Sequence, residues 1–446
     1  MSNSIVAIEI GSSKIKVAIG ELEPSDALLI KNIKEIHQDP NTVSYGLVQN
    51  VRVVANELKN VITSLESHLT NSKISGVYVA VGGRSLTSTP AQIEENLSGV
   101  TEVTPEIVER MMKRAQTTSP DHTLLEVLPT EYRIDGKAHG INPIGILGTE
   151  MQAHVNLVTI RTQLIRNLEM TIKEKLGLDI NGFVVRPLAV SNLVMTDEER
   201  GLGAMLVDFG AETTTVSIYK KGTLQYLATI PLGSRHITRD LTALHYTEER
   251  AEEIKKTSGN AYPGKTTAED SFSQVDTTDI NNYIGMRAGE IAANINAQIG
   301  FAGMTVQDLP CGIILVGGGA NLRGFVELLG QETKLPVRRG TTPSTVRVLG
   351  TKLDPMNDLD IVAIMKALPA DKIKECVTKK QEEITKPEPL EELPKEQDVP
   401  QEQDDDQGDT FEDDEYPKKK SFFKRVVNGI QNMISPIEDE EDEEFS

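Results

Sequence analysis

Five short runs of apolar and β-branched residues, each ending at glycine, constrain the fold of this chain most strongly. A run of four to eight such residues that stops at glycine is typical of a buried strand followed by a turn. Helical patterns such as NELKNVITSLESHL and EIVERMMKRAQ lie between several of the runs, so the sequence predicts an α/β fold. With 446 residues, the chain is long enough for two or more domains. The five runs are SIVAIEIG, VYVAVGG, AMLVDFG, TVSIYKKG and GIILVGGG.

The first of these runs ends in a turn that suits an anionic ligand. In VAIEIGSSK, Glu9 closes the strand and Gly11 permits a tight turn of the backbone. Hydroxyls, backbone amides and one cation follow the glycine, and such groups bind phosphate. Taken alone, the pattern is equally compatible with an ordinary strand end. The predicted ligand residues are Gly11, Ser12, Ser13 and Lys14.

The run AMLVDFG leads into a second turn of the same kind. In LVDFGAETTT, Asp208 is placed to hold a magnesium ion through water, while the turn offers amides and hydroxyls to phosphates. The carboxylate of Glu212 would lie beside those phosphates, and its repulsion would slow or prevent hydrolysis. The predicted phosphate ligands are Gly210, Ala211, Glu212, Thr213 and Thr214.

A third glycine-rich turn follows the run GIILVGGG. In ILVGGGANLRGF, a buried strand runs into three glycines and then into a helix, so that bare backbone can lie against a base and a sugar. Such turns are also common in proteins that bind no nucleotide, and it is the order of all three elements that favours a nucleotide. The predicted residues are Gly317, Gly318, Gly319 and Ala320.

The order of these three motifs resembles the superfamily of actin, sugar kinases and heat-shock chaperone ATPases. This resemblance implies two lobes with ATP and Mg²⁺ between them. Residues 231–261, PLGSRHITRDLTALHYTEERAEEIKKTSGNA, are similar to the bacterial actin segment that follows the second phosphate motif. There the resemblance implies that Glu252 and Lys255 bind the ribose, and their spacing of three puts both on one helical face.

A narrower resemblance lies in residues 128–159, LPTEYRIDGKAHGINPIGILGTEMQAHVNLVT. This stretch is similar to the inserted subdomain that distinguishes the FtsA family of bacterial cell-division proteins from other actin relatives. The resemblance covers nearly all of residues 1–375. It rests on Pro129, Tyr132, Asp135, Asn142, Pro143, Gly145 and Gly148.

The sequence departs from related families at Arg186. Relatives such as MreB have an acid in the segment that corresponds to RPLAVSNL, residues 186–193. No general base is therefore assigned, and the catalytic residues stay unknown. The expectation is an ATP-binding protein with at most weak ATPase activity.

The resemblance implies a division of the chain into seven parts. Residues 1–82, 159–190 and 346–375 form subdomain IA, and residues 83–158 form the inserted subdomain IC. Residues 191–230 with 291–345 form subdomain IIA, and residues 231–290 form subdomain IIB. A disordered acidic linker at 376–417, an amphipathic helix at 418–437 and an acidic end at 438–446 complete the chain.

The charge of the chain is concentrated in its last part. Residues 376–446 hold 23 acidic and 9 basic residues, a net charge of −14 out of −21, which leaves −7 for residues 1–375. A mildly acidic body argues against a nucleic-acid binder. Between 379 and 417 there are almost no large apolar side chains, which is typical of a disordered segment.

The segment KKKSFFKRVVNGIQNMIS, residues 418–435, has an apolar and a polar side when drawn as a helix. A helix docked on the protein's own body is the alternative, but a long tether and five cations favour an anionic membrane surface. The apolar residues are Phe422, Phe423, Val426, Val427, Ile430, Met433 and Ile434, and the cations are Lys418, Lys419, Lys420, Lys424 and Arg425.

From other features we expect neither a membrane-spanning helix nor a secretory signal. No apolar stretch reaches the roughly 18 residues that a spanning helix needs, and no secretory signal is visible. Cys311 and Cys376 have no metal-ligand spacing, which favours a reducing compartment.

The resemblance implies a division protein that binds ATP, self-associates into actin-like filaments and joins other division proteins. Its helix would hold filaments of the tubulin relative FtsZ to the cytoplasmic face of the cell membrane at the septum, with FtsZ bound around residues 231–290. Three alternatives share the fold: the platform protein of pilus assembly, a sugar or acetate kinase, and a chaperone ATPase. The insert and the terminal helix argue against the first. A kinase would need a catalytic carboxylate, and a chaperone would need a substrate domain after residue 375.

Overall fold

The computed structural model describes residues 3–23, 25, 27–115, 119–262, 278–344, 346–350 and 352–379. The chain divides into two units, Met1–Glu382 and Glu383–Ser446. Most of the predicted linker, the predicted amphipathic helix with all its membrane-binding residues, and the acidic end lie outside the described residues. The fold below is that of the first unit.

The described strands alternate with helices, which confirms the predicted α/β class. In chain order the strands are β1 (Ser4–Ile10), β2 (Lys14–Leu22), β3 (Leu28–His37), β4 (Val43–Ser44), β5 (Leu47–Val48), β6 (Ser72–Ile74), β7 (Gly76–Val81), β8 (Thr87–Glu102), β9 (His122–Ile134), β10 (Lys137–Ala138), β11 (Leu147–Arg161), β12 (Asp179–Val185), β13 (Ala204–Phe209), β14 (Thr214–Lys220), β15 (Thr223–Ile230), β16 (Ile313–Val316), β17 (Val337–Arg339), β18 (Val348–Gly350) and β19 (Val377–Lys379).

The α-helices are α1 (Val51–Glu66), α2 (Pro105–Lys113), α3 (Thr162–Glu169), α4 (Arg186–Val194), α5 (Asp197–Leu202), α6 (Ser234–Leu241), α7 (Glu248–Thr257), α8 (Thr278–Phe301), α9 (Phe325–Thr333) and α10 (Leu359–Lys366). A π-helical turn, Met170–Glu174, extends α3. Short 3-10 helices lie at Thr242–Leu244, Val306–Asp308, Gly318–Asn321 and Ala370–Lys372.

The first lobe is built on a six-stranded sheet in the order β12-β7-β1-β2-β3-β18. Strands β1, β2 and β3 form an antiparallel meander, β7 runs parallel to β1, and β12 runs parallel to β7. Residues Ile5 to Ile8 of β1 are fully buried, together with apolar residues of α1, α4 and α10 in the same core. A continuous apolar run is therefore expected for β1, because a strand in the middle of a covered sheet has no solvent-facing side.

The second lobe repeats this strand plan. Strands β13, β14 and β15 form an antiparallel meander, β16 runs parallel to β13, and β17 runs parallel to β16. Helices α6, α8 and α9 pack with these strands in a separate core. The hairpins β1-β2 and β13-β14 therefore occupy equivalent places in the two lobes, which explains why their turns have similar sequences.

A subdomain inserted after β7 adds three long antiparallel strands, β8, β9 and β11, and the helix α2. It has its own small core around Tyr132, Met111 and Met151. The chain enters it from the first lobe, but β8 pairs with β15 of the second lobe at Thr87 and Ala228. The insert thus extends the sheet of the second lobe to nine strands.

The structure bears on two of the predicted boundaries. The predicted linker starts at 376, but Cys376 is fully buried and β19 pairs with β6, so the ordered fold continues to Lys379. The predicted boundary at 290 falls inside α8. Among the described residues, none of the helices is long and apolar enough to cross a membrane.

Candidate functional site

The two hairpin turns have the same hydrogen bond. The amide of Gly11 donates to the carbonyl of Lys14 at 2.9 Å, and the amide of Gly210 donates to the carbonyl of Thr213 at 2.9 Å. The remaining amides of each turn, between the glycine and the next strand, lie at the end of the hairpin. These turns are the predicted phosphate-binding residues of the two lobes.

The structure brings the two turns together through Glu212. Its carboxylate is only 2% exposed and accepts a hydrogen bond of 2.7 Å from the amide of Tyr45, which belongs to the first lobe. Arg235 and Arg239 each lie 3.2 Å from Oε1 of Glu212. Arg235 also donates to the carbonyl of Ser12 in the first turn, at 2.9 Å. We call Glu212, Tyr45, Arg235 and Arg239 the Glu212 latch, because it joins the lobes.

The contacts of the Glu212 latch alter the role expected for Glu212. The sequence predicts that its negative charge lies beside the phosphates and repels them, whereas two guanidinium groups offset this charge in the structure. Slow turnover caused by Glu212 stays a prediction.

Since Arg235 and Arg239 also lie at the second turn, they are cations that the sequence analysis missed. Arg235 lies two residues after Gly233, at the start of α6, and that position was the available signal.

The start of α6 fixes the second turn. The amides of Ser234 and Arg235 donate to the carbonyls of Gly210 and Ala211 at 2.9 and 2.7 Å. A Cβ atom on Gly233 would lie 2.5 Å from the carbonyl oxygen of Ala211, so only glycine permits this approach of the two backbones. The turn is therefore held by backbone contacts in addition to the side-chain contacts of Glu212.

Asp208 lies behind the second turn with Arg186 against it. The side chain of Asp208 is 1% exposed, and Nη2 of Arg186 lies 2.5 Å from its Oδ2. The same guanidinium donates through Nη1 to Oε1 of Glu9 at 3.0 Å and lies 4.0 Å from Asp360. Glu9 and Asp208 are the second-to-last residues of β1 and β13, so Arg186 joins equivalent acids of the two lobes.

Burial dominates the protonation of these acids. It raises the pKa of Glu9 to about 7, helped by the nearby Asp360 and opposed by Arg186. Burial also raises the pKa of Asp208 to about 6, although Arg186 acts in the opposite direction. Burial therefore makes Glu9 and Asp208 easier to protonate than carboxylic acids in water, and Arg186 limits this effect.

This arrangement does not fit a magnesium ion at Asp208. An anchoring carboxylate must offer an oxygen to the hydrated ion. Both oxygens of Asp208 are shielded from solvent, and neither has a well-aligned hydrogen-bond donor among the described residues. Arg186 covers one oxygen, and Gly317 lies beside the other. Within the described part of the chain, no three His, Cys, Asp or Glu side chains form a metal-binding group. The predicted Mg²⁺ contact at Asp208 therefore stays a prediction, and these contacts argue against it.

The third glycine turn packs directly on the second. Gly317 follows β16 with φ of +87°, and a Cβ atom there would lie 2.6 Å from the carbonyl oxygen of Phe209 and 2.7 Å from Oδ1 of Asp208. A Cβ atom on Gly319 would lie 2.5 Å from the ring of Phe209. Gly318 has open space in front of it and Ala320 is buried. The glycines thus allow the predicted adenosine turn to lie next to the predicted phosphate turn.

Glu252 and Lys255 lie together on α7, as their spacing predicts, but they differ in accessibility. The ammonium of Lys255, whose side chain is 6% exposed, donates to Glu252 at 2.6 Å, to the hydroxyl of Thr238 at 2.8 Å and to the carbonyl of Ser234 at 3.0 Å. Burial lowers the pKa of Lys255. Burial alone would raise the pKa of Glu252, but the charge of Lys255 brings it below its usual range. Lys255 therefore positions Glu252, which remains partly exposed.

The remaining predicted ligands lie at the first turn. Ser12 accepts a hydrogen bond of 3.3 Å from the amide of Gly46 through its hydroxyl, and Ser13 lies beside it in the turn. The ammonium of Lys14 is 3.1 Å from Glu35 on the neighbouring strand, so its charge is already paired. Lys16, which the sequence analysis missed, is buried against Glu35 and Asp358 at 3.3 and 3.1 Å.

Comparison with known families gives two matches to this chain. The family model described as "Cell division protein FtsA" matches residues 205–351, and the model described as "SHS2 domain inserted in FTSA" matches residues 83–159. Together these segments make up about half of the chain.

Curated relatives carry the same description. The cell division protein FtsA of Porphyromonas gingivalis is 31% identical over 317 residues, which are 67% of this chain and 65% of the relative. The chain thus spans just under two thirds of that relative's length. The FtsA of Bacillus subtilis is 27% identical over 349 residues, 72% of this chain and 75% of the relative. The chain belongs to the FtsA family.

The solved structures support the fold of this FtsA-family chain. One chain of the solved PilM-PilN type IV pilus biogenesis complex has a TM-score of 0.59 to this chain and is 18% identical to it. The match covers 82% of this chain and 99% of that chain. The predicted two-lobed actin-like fold with an FtsA-type insert is confirmed. The predicted membership of the FtsA family is confirmed as well.

Proposed function

We propose that this FtsA-family protein binds ATP between its two lobes and polymerises as an actin-like filament. Through its C-terminal helix it tethers FtsZ filaments of the division ring to the cytoplasmic face of the membrane. The observation that carries the proposal is that the two hairpin turns, residues 11–14 and 210–214, and the third glycine turn, residues 317–320, meet between the two lobes. We call this meeting place the cleft. This is the arrangement expected for a ligand with phosphates at one end and an adenosine at the other.

The contacts of the cleft support binding of a nucleoside triphosphate. The two turns present backbone amides from equivalent hairpins, and Arg235 lies between them with bonds to Ser12 and Glu212. Phosphate groups are bound by backbone amides and by guanidinium groups in many proteins. Gly317 and Gly318 leave bare backbone beside the second turn, and Glu252 has a partly exposed carboxylate for a sugar hydroxyl. We assign no catalytic base, so turnover is expected to be slow at most.

A surface between α6 and α8 supports the proposed contact with FtsZ. Met286 is 78% exposed and lies in a groove with Tyr283, Arg239 and Arg287. Exposed apolar side chains with charged neighbours are typical of protein-binding surfaces. We propose that this groove takes a segment of FtsZ that presents an apolar side chain to Met286.

The proposed membrane contact belongs to residues 418–437, which lie outside the described residues. Its support is the amphipathic pattern of the sequence, with five cations for an anionic leaflet. One such helix binds weakly, so attachment is expected to strengthen when a filament presents many helices at once.

Co-sedimentation with liposomes and calorimetry with ATP test the tethering and the nucleotide binding in this proposal. The full chain with ATP should carry FtsZ filaments into the pellet with anionic liposomes, whereas a chain that ends at residue 417 should leave them in the supernatant. The shortened chain should still bind ATP in calorimetry, because the cleft lies within residues 3–379. Equal sedimentation of FtsZ by both chains would contradict the tethering role, and absence of heat from ATP in both would contradict nucleotide binding.

A further inference from the structure

Arg186 lies over the carboxylate of Asp208 at the base of the cleft. Its Nη2 atom is 2.5 Å from Oδ2 of Asp208, while Oδ1 faces the backbone of Gly317. Both carboxylate oxygens are shielded from solvent. A hydrated metal ion that used Asp208 would therefore have to displace the guanidinium first.

The guanidinium is held from both lobes at once. Arg186 is the first residue of α4, and its side chain passes Gly82, where a Cβ atom would lie 3.6 Å from Nε. It donates to Glu9 of the first lobe at 3.0 Å and contacts Asp208 of the second. The planar guanidinium group can serve two carboxylates at once. Displacing it would leave buried carboxylates without a counterion, which is strongly unfavourable.

We infer that Arg186 is the resident cation of this cleft, takes the place of a divalent metal at Asp208, and lets the cleft bind a nucleoside triphosphate without Mg²⁺. This inference rests on the proposed nucleotide binding. It concerns this chain's own residues, because the cation that lies over Asp208 is a side chain of the same chain. A magnesium ion holds its waters firmly and needs open carboxylate oxygens, whereas an arginine supplies its charge already bound.

Calorimetry of ATP binding in excess EDTA and in excess MgCl₂ tests the inference on the wild-type chain. We expect Mg²⁺ to tighten binding by less than about threefold, far below the tenfold that corresponds to about 1.4 kcal/mol. A larger gain with Mg²⁺ would overturn the inference. The variant Arg84→Gln is the matched control, since it removes an exposed cation that lies over the ring of Tyr45 and touches neither acid. It should behave as the wild type does.

Variants of Arg186 test whether this side chain is the group that makes Mg²⁺ unnecessary for ATP binding. Arg186→Gln should make ATP binding depend on Mg²⁺ by tenfold or more, because it uncovers Asp208. The double variant Arg186→Gln with Asp208→Asn should lose that dependence. It should also be more stable than Arg186→Gln alone, since it removes one of the two acids, Glu9 and Asp208, that the single variant leaves without their cation. If Arg186→Gln is folded by circular dichroism and shows no Mg²⁺ dependence, Arg186 does not stand in for the metal.

Binding of Mn²⁺ alone separates this inference from the nucleotide proposal. Electron paramagnetic resonance of the nucleotide-free protein should show one more bound Mn²⁺ in Arg186→Gln than in the wild type or the double variant. The acidic residues near the C-terminus are the same in all three chains, so only the difference between chains is counted. A wild type that already binds this ion, and loses it with Asp208→Asn, would overturn the inference. If no chain binds ATP, the nucleotide proposal fails and the Mn²⁺ comparison still decides the role of Arg186.

Discussion

Replacement of Glu212 should lower stability and raise nucleotide affinity at the same time. In the Glu212 latch the carboxylate lies 3.2 Å from Arg235, and two unit charges at that distance attract by about 5 kcal/mol at an effective dielectric constant of about 20. Desolvation of a carboxylate that is 2% exposed offsets part of this attraction. Arg235 keeps its bond to Ser12, and Arg239 is already 40% exposed, so both retain other partners or water.

We therefore expect Glu212→Ala to lower the free energy of unfolding by about 3 kcal/mol, near the lower end for a broken buried ion pair. Glu212→Gln should cost about 2 kcal/mol, because its amide oxygen still accepts the hydrogen bond from Tyr45. In both variants Arg235 and Arg239 lose their carboxylate and become available to phosphate. The affinity for ATP should therefore rise about tenfold, equivalent to about 1.4 kcal/mol.

Urea unfolding and calorimetry with ATP measure the two effects on the same samples. Glu248→Gln is the matched control, since this carboxylate lies 3.9 Å from Arg235 and its side chain is 38% exposed, against 2% for Glu212. It should change stability by less than about 0.5 kcal/mol. The reasoning is refuted if Glu212→Ala is as stable as the wild type, or if its affinity for ATP falls together with its stability.

Three further predictions concern other parts of the chain. Burial raises the pKa of Tyr219 to about 12, so its folded form keeps its proton above the usual tyrosine pKa of about 10, and stability should fall from pH 10 to 12 by up to about 3 kcal/mol. Tyr219→Phe should remove that loss in urea unfolding across this pH range, and an unchanged pH dependence would contradict it. Met286→Asp should reduce co-pelleting of FtsZ at least tenfold, whereas Phe301→Asp, at a residue of similar exposure (73%) on the same helix, should not; equal effects of both variants would exclude the groove. Truncation after Ile437 should tighten liposome binding of the monomer, most clearly at low salt, because it removes seven acids that oppose the five cations. If the truncated and the full chain bind liposomes with the same affinity at every salt concentration, the acids have no part in attachment.

The sequence predicts the turns of the cleft well, because their information is local. A strand that ends in an acid, one residue and glycine specifies its hairpin within about ten residues, and Gly11 and Gly210 make the same hydrogen bond as a result. The helical pair of Glu252 and Lys255 is local for the same reason. The repeated strand plan of the two lobes also follows from two similar sequence units.

The partners of these residues could not be predicted, because they come from distant parts of the chain. Arg186 is 177 residues from Glu9, and Tyr45 is 167 residues from Glu212. The sequence alone does not show which counterion a charged side chain will contact. For this reason the sequence predicts that Glu212 repels phosphate. The strand Val377–Lys379 was missed for a similar reason, since β19 is a strand only through its pairing with β6, about 300 residues earlier in the chain.

The attachment of the insert limits how the two lobes can move. Its strands leave and re-enter the first lobe, yet Thr87 pairs with Ala228, Ser88 accepts from the amide of Leu227 at 2.8 Å, and Asn156 donates to the carbonyl of Leu224 at 2.8 Å. The insert therefore connects the two lobes at a second place, in addition to the chain segments that run between them. A rotation of one lobe relative to the other must either move the insert with it or break these hydrogen bonds, so the orientation of the insert should follow the relative orientation of the lobes.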